Sequence, residues 1–247
     1  MGDHDSRRTN HPRESQDLEY CQKTERAQHC QEQVGFQVKK DVAGKVEQYK
    51  ARLIAKGFTQ VFGVDYYNTW APVAKLRSIQ LLLATAAQNR WPIDMFNFHS
   101  AFFNRELDSD EEVYMEQPEG YKKSDRKQYI CKLHKSLYRL KQAGRKWYDA
   151  LCKALTKNGF TQSEADPAMF HAHKGNNIAI LACHVDDCMI TGNSQVLVQS
   201  YKDKLKNKYL LMNLGTADWL LGIKITRDLE AQMISLSQEL YIDSILT

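Results

Sequence analysis

Residues 178–191 read Ile-Ala-Ile-Leu-Ala-Cys-His-Val-Asp-Asp-Cys-Met-Ile-Thr, a largely apolar run interrupted by two adjacent acids, Asp186 and Asp187. Gly175-Asn176-Asn177 precedes the run and Gly192-Asn193 closes it. Such punctuation predicts two buried strands joined by a tight turn, with both carboxylates at the tip. Two like charges on a core hairpin cost on the order of several kcal/mol unless cations neutralise them, so the pair points to a divalent metal. Taken alone, the pair fits an ordinary Asp-rich turn as well, since Asp is a favoured turn residue.

Working outward, the 247 residues suffice for one sizeable core, or a core with a smaller lobe. Lysine and arginine number 34 against 30 acids, a net charge of +4 that permits contact with a nucleic-acid backbone without requiring it. The six cysteines, Cys21, Cys30, Cys131, Cys152, Cys183 and Cys188, form no C-x-x-C pair and have no histidine pair at finger spacing. They read as free thiols of a reducing compartment, not as a zinc site or a disulfide framework. No apolar run approaches the length of a membrane span and no signal peptide opens the chain, so an intracellular protein, cytoplasmic or nuclear, with no membrane partner is expected.

Residues 1–34 are polar and charged without sustained periodicity, and are expected to be disordered. From Phe36 the pattern changes to a two-stranded hairpin, with a turn over residues 41–45 and a second strand over 46–55. Residues 76–89 place Leu76, Ile79, Leu82, Leu83 and Ala86 at helical spacing, and Trp91-Pro92 ends that helix. A strand over 93–98 follows. A second helix is predicted over 143–158, with Trp147, Leu151 and Leu155 on one stripe and Asn158-Gly159 as its C-cap. Residues 196–209 read as a third helix with Lys202, Lys204, Lys206 and Lys208 on its outer face, and 220–226 as a short strand. The order predicts an α+β domain, a sheet covered by helices on one side.

Several further segments occur in a fixed order: Arg52-Leu53-Ile54-Ala55-Lys56-Gly57-Phe58-Thr59-Gln60, Asp65-Tyr66, Thr69-Trp70-Ala71-Pro72-Val73, Ala101-Phe102-Phe103-Asn104, Val113-Tyr114-Met115-Glu116-Gln117-Pro118, Leu137-Tyr138-Arg139-Leu140-Lys141-Gln142-Ala143-Gly144-Arg145-Lys146-Trp147, and Leu221-Gly222-Ile223. With His184-Val185-Asp186-Asp187 they closely resemble the reverse transcriptase of copia-type LTR retrotransposons, whose metal-binding box reads Tyr-Val-Asp-Asp. The resemblance runs from about Phe36 to the last residue. It implies a right-hand polymerase domain over residues 35–247, with a fingers hairpin at about 36–60 and a palm at about 91–230. The chain ends inside a helix that the family continues, so the thumb is expected to be absent or partial and no RNase H domain to follow.

The resemblance also implies a chemistry: RNA-directed DNA polymerisation by two magnesium ions (or manganese) about 4 Å apart, acting on a primed RNA or DNA template and deoxynucleoside triphosphates. Element-encoded particle proteins are implied as further partners. Asp186 and Asp187 would be metal ligands. The family's other metal-bridging aspartate stands four residues before the Ala-Phe pair, which here is Asn97. An amide carries no net charge, so the acid site falls from three negative charges to two. At an effective dielectric near 20, losing a charge roughly 2 to 4 Å from a divalent ion costs on the order of several kcal/mol before relaxation. Asp94, three residues earlier, points to the opposite face of a strand and cannot replace it.

Other positions carry over singly. Phe102 resembles a steric gate under the sugar, and Ser100 and Ala101 would lend N–H groups to the triphosphate. Gln142 would touch the incoming nucleotide, while Lys141 and Arg145 would meet template phosphates; a solvated helix start is the alternative for these three. Lys50, Arg52 and Lys56 are candidates to grip the triphosphate. His184 replaces the tyrosine of the box, and Arg105 and Arg139 stand where the family usually has glycine, a residue that often serves positive φ. The implied function is an RNA-directed DNA polymerase domain impaired at Asn97. The alternative is a non-catalytic nucleic-acid-binding remnant of a decayed retroelement.

Overall fold

The computed structural model describes residues 18–22, 29–30, 32–40, 45–99, 107, 111–117 and 129–246. The chain divides into two units: residues 1–70 with 102–147, and residues 71–101 with 148–247. Among the described residues no helix is long and apolar enough to cross a membrane.

Among the described residues the first unit holds two small sheets. In the four-stranded one, β1 (Leu18–Gln22), β2 (His29–Cys30), β6 (Tyr114–Met115) and β7 (Tyr129–Leu133) run in the order β1-β7-β6-β2. In the other, β3 (Glu32–Lys40) and β4 (Val46–Ala55) form the antiparallel hairpin that the sequence predicts. Residues 18–22 correct the expectation that everything before residue 35 is disordered. β1 pairs with β7 from Leu18↔Leu133 to Gln22↔Tyr129, so its backbone groups are satisfied by a neighbouring strand without an apolar run of its own. Leu53, Ala55, Val113, Met115, Leu133, Leu137, Leu140 and Ala143 make this unit's core.

Arg139 lies at φ +68, the region that favours glycine, as its place at a family glycine implied. The chain cannot relax there easily: Ala55 N–H donates to Tyr138 O at 3.1 Å, and Gly57 packs so closely that a Cβ would lie 2.0 Å from Arg139 O.

The second unit is built on a six-stranded antiparallel sheet in the order β12-β5-β11-β10-β9-β8. Its strands are β5 (Ile93–Phe98), β8 (Thr161–Gln162), β9 (Met169–Lys174), β10 (Asn177–His184), β11 (Asp187–Gly192) and β12 (Leu211–Thr216). The helices are α1 (Leu76–Gln88), α2 (Ala143–Lys157), which begins in the first unit, α3 (Gln195–Lys206) and α4 (Glu239–Leu246). A three-stranded sheet of β13 (Trp219–Leu220), β14 (Ile223–Asp228) and β15 (Met233–Ser237) completes it. The single strand expected over 220–226 is thus a hairpin, because Leu221 and Gly222 both take positive φ (+52 and +78) and reverse the chain. Helix α2 ends as predicted: Gly159 sits at φ +93, its N–H donates to Thr156 O, and Phe160 N–H donates to Leu155 O, which satisfies the last carbonyls.

Alternation along β5 dictates what each face meets. Ile93 and Met95 pack with Ile79, Leu82, Leu83 and Ala86 of α1 and with Leu220 and Ile225. Phe98 of the opposite face meets Tyr209 edge-on at 5.4 Å, and Asp94 meets Lys202 of α3 at 2.9 Å. Helices therefore cover both faces of the sheet, not one, since β5 and β11 are apolar on both sides and each side needs a cover. Lys202 likewise departs from the expected outer lysine face: it is buried, and its ammonium also donates to Asn213 Oδ1 at 2.8 Å.

Two stability predictions follow from this geometry. Lys202→Met leaves Asp94 half-buried without its cation and lowers unfolding free energy in urea by about 3 kcal/mol, most of it recovered by adding Asp94→Leu. Arg139→Gly raises it by up to about 1 kcal/mol, by releasing the positive-φ strain.

Candidate metal-binding acid site

The acid hairpin forms as its sequence demands. β10 and β11 pair from Ala179↔Gly192 to His184↔Asp187, which leaves Val185 and Asp186 as a two-residue turn. Val185 adopts φ +61, unusual for a β-branched residue, and costs on the order of 1 to 3 kcal/mol of local strain. The turn is anchored sideways, where Phe98 N–H donates to Asp186 O at 2.9 Å.

β5 lies beside β11 in the register Asp187↔Asn97, so the amide and the carboxylate are direct cross-strand neighbours. Asn97 Nδ2 donates to Asp187 Oδ1 at 2.8 Å. Asn97, Asp186 and Asp187 are all half-buried. Asp94 is engaged with Lys202 on the other face, so it is no substitute ligand. His184 is Asp187's register partner on β10, and its Nδ1 is buried without a hydrogen-bond partner.

Beneath the acids lie Cys183 and Cys188, opposite each other in the register, with Sγ atoms 3.2 Å apart. Burial pushes the Cys188 thiol well above its ordinary pKa; the hydrogen bond to Cys183 and the negative charges of Asp187 and Asp186 push the same way. Cys188 is therefore a protonated thiol, inert as a nucleophile. Among the described residues Cys21, Cys131 and Cys152 likewise form no disulfide.

Does this donor set fit two divalent ions? Hard cations of this kind take oxygen ligands, chiefly carboxylates. Among the described residues no three His, Cys, Asp or Glu side chains are grouped to hold a metal. The third group present is an amide whose N–H occupies a carboxylate lone pair of Asp187. Asp186 and Asp187 can attract one cation, but the set does not fit a two-ion centre.

The other predicted site residues lie elsewhere in the chain. Ser100, Ala101, Phe102 and Arg105 fall outside the described residues. Lys50 and Arg52 stand opposite Gln37 and Gly35 in the β3–β4 register, and their side chains are also outside the description. Lys56 is half-buried before a 3₁₀ turn (Gly57–Thr59), and Lys141 is exposed. Arg145 Nη1 donates to Trp70 O at 3.4 Å. Gln142 departs from expectation. It is fully buried, its Oε1 accepts from Gln60 Nε2 and its Nε2 donates to Asp65 O, both at 3.1 Å, so its amide holds a loop and has no face to offer a nucleotide. The Asp94–Lys202 pair was missed, though an acid in an apolar strand signals a need for a cationic partner.

A family model described as reverse transcriptase (RNA-dependent DNA polymerase) matches residues 22–247. The retrovirus-related Pol polyprotein from transposon TNT 1-94 of Nicotiana tabacum is 38% identical over 212 residues, covering 85% of this chain and 16% of that protein. The corresponding polyprotein from transposon RE1 of Arabidopsis thaliana is 38% identical over 211 residues, 85% of this chain and 14% of its own length. The transposon Ty1-MR1 Gag-Pol polyprotein of Saccharomyces cerevisiae is 27% identical over 187 residues, 72% of this chain and 10% of that one. The chain thus spans only a small fraction of the relatives it matches. Among solved structures, an apo telomerase from Candida tropicalis aligns over 90% of this chain and 57% of its own, with 7% identity and a TM-score of 0.42.

Replacing the amide gives a readout independent of turnover. Asn97→Asp brings a third carboxylate against Asp187 and removes the hydrogen bond, so in EDTA its Tm falls by several degrees, roughly 1 to 2 kcal/mol. Millimolar Mn²⁺ restores the variant by several degrees and moves the parent by less than about one degree.

Proposed function

Because this chain belongs to the reverse transcriptase (RNA-dependent DNA polymerase) family, with copia-type retrotransposon polyproteins as its relatives, we propose that it is a polymerase domain that holds primed template but transfers nucleotides poorly. The observation that carries this is the Asn97–Asp187 contact. The family works with divalent metals, and the position that should complete the metal site here hydrogen-bonds to a ligand instead of adding charge.

What this chain's own residues do follows from their chemistry. Asp186 and Asp187 supply the negative field that draws a cation, and Asn97 orients Asp187. Ser100, Ala101 and Phe102 would lie against the triphosphate and sugar, with Phe102 excluding a 2′-hydroxyl. Lys50, Arg52 and Lys56 suit the triphosphate oxygens, while Lys141 and Arg145 suit template phosphates. The reading assigns RNA or DNA template with primer and deoxynucleoside triphosphates as partners, particle proteins as further ones, and an intracellular location. The second reading, a non-catalytic nucleic-acid-binding remnant, is favoured by the strained Val185 and Arg139, which also depart from what their backbone positions prefer.

Primer extension on an RNA template with Mg²⁺ or Mn²⁺ separates the two. The unmodified chain yields little product, and Asn97→Asp raises the rate by a factor on the order of 100 or more, the size expected for several kcal/mol in the barrier. Ordinary polymerase rates from the unmodified chain would sink the assignment. An inert Asn97→Asp that still binds template selects the remnant.

A further inference from the structure

Residues 57–70 are partly inverted in polarity. Two of their polar side chains, Gln60 and Asp65, are buried, and Phe58, Phe62, Tyr67 and Trp70 are 76%, 68%, 57% and 64% exposed beside the exposed Thr59, Asn68 and Thr69. A continuous network holds this inversion. Gln60 Oε1 accepts from Lys141 N–H at 2.8 Å, Gln60 Nε2 donates to Gln142, Gln142 Nε2 donates to Asp65 O, and Asp65 Oδ2 accepts from Val61 N–H at 2.7 Å. Gly63 at φ +82 tightens the tip, its N–H reaching Tyr66 O at 2.9 Å, and Phe62 meets Tyr66 edge-on at 5.8 Å. The loop is internally braced, so its rings are displayed by a rigid base and are not left outside for want of room.

We infer that residues 57–70 form a stacking platform for the unpaired bases of a single-stranded nucleic acid. The charge around the rings argues for this occupant. The only acid in the segment is Asp65, and its carboxylate is turned inward onto Val61. Lys56, Lys141 and Arg145 border it, and Arg145 reaches the Trp70 carbonyl. Exposed aromatic faces bordered by cations match a polyanion whose bases are flat and accessible, and every base has a face to stack. A duplex hides those faces. The inference rests on the reading above only in taking nucleic acid as the substrate class; it does not need the acid site to work.

The test measures fluorescence anisotropy of a labelled oligo(U) of about 20 nucleotides, and of a duplex of the same length, with the full chain in EDTA. Leucine replacements, Phe58→Leu and Trp70→Leu, keep apolar volume and remove the ring. Each weakens single-strand binding by a factor on the order of ten, and together by about a hundredfold, with duplex affinity unchanged within about twofold. Equal single-strand affinity in the parent and the double variant overturns the inference, as does parallel loss of single-strand and duplex binding. A parent dimer that the same replacements dissolve also overturns it, assigning the face to a second copy. Because divalent ions are absent, failure of Asn97→Asp to extend primers leaves this result standing.

Discussion

A carboxylate at the end of a buried strand must be balanced by something, and Asp187 is balanced by an amide. The cross-strand contact from Asn97 Nδ2 to Asp187 Oδ1 depends on register, since β5 and β11 pair with these two residues opposite each other. Register here is not free to slip: a shift of one residue would carry Met95 and Ile93 out of the α1 core and turn Asp94 away from Lys202. The same packing that makes the fold therefore makes the contact. Restoring an acid at position 97 would bring like charges together inside a framework that cannot move them apart.

The two acids of β5's environment show how burial decides roles. Asp94 faces α3 and is neutralised by Lys202, a structural pair with Asn213 as a third member. Asp187 faces the other way, where it meets the Asn97 amide and its register partner His184. The buried Cys183 and Cys188 below it add no positive charge, and the rise of the Cys188 thiol reflects burial first and the neighbouring acids after it. On the proposed reading, the field of the two acids at the hairpin tip is what draws a cation.

Much of this was legible beforehand for physical reasons. The acid hairpin, the strand over 93–98, the hairpin ending at Ala55 and the helices over 76–88 and 143–157 all have strong periodicity or turn punctuation, and the structure has them. The family resemblance implied a place for Asn97 beside the acids, and the β5–β11 register sets Asn97 opposite Asp187. What stayed hidden has no local signature. β1 depends on hydrogen bonds from β7, more than a hundred residues away. Lys202 looks like one more surface lysine until the sheet brings Asp94 to it. Gln142 sits in a basic, polar segment, and only tertiary packing reveals that it is buried against Gln60. The exposed aromatic residues of 57–70 have no local signature either, and only the folded chain shows their exposure.

On the proposed reading, the amide leaves the acid pair too weakly charged for a two-ion centre. Counting bound Mn²⁺ by electron paramagnetic resonance, across a titration of free ion with the unmodified chain, tests it most directly. At most one weakly held ion per chain, with a dissociation constant in the millimolar range, is expected. Two ions per chain bound at micromolar free manganese would contradict it.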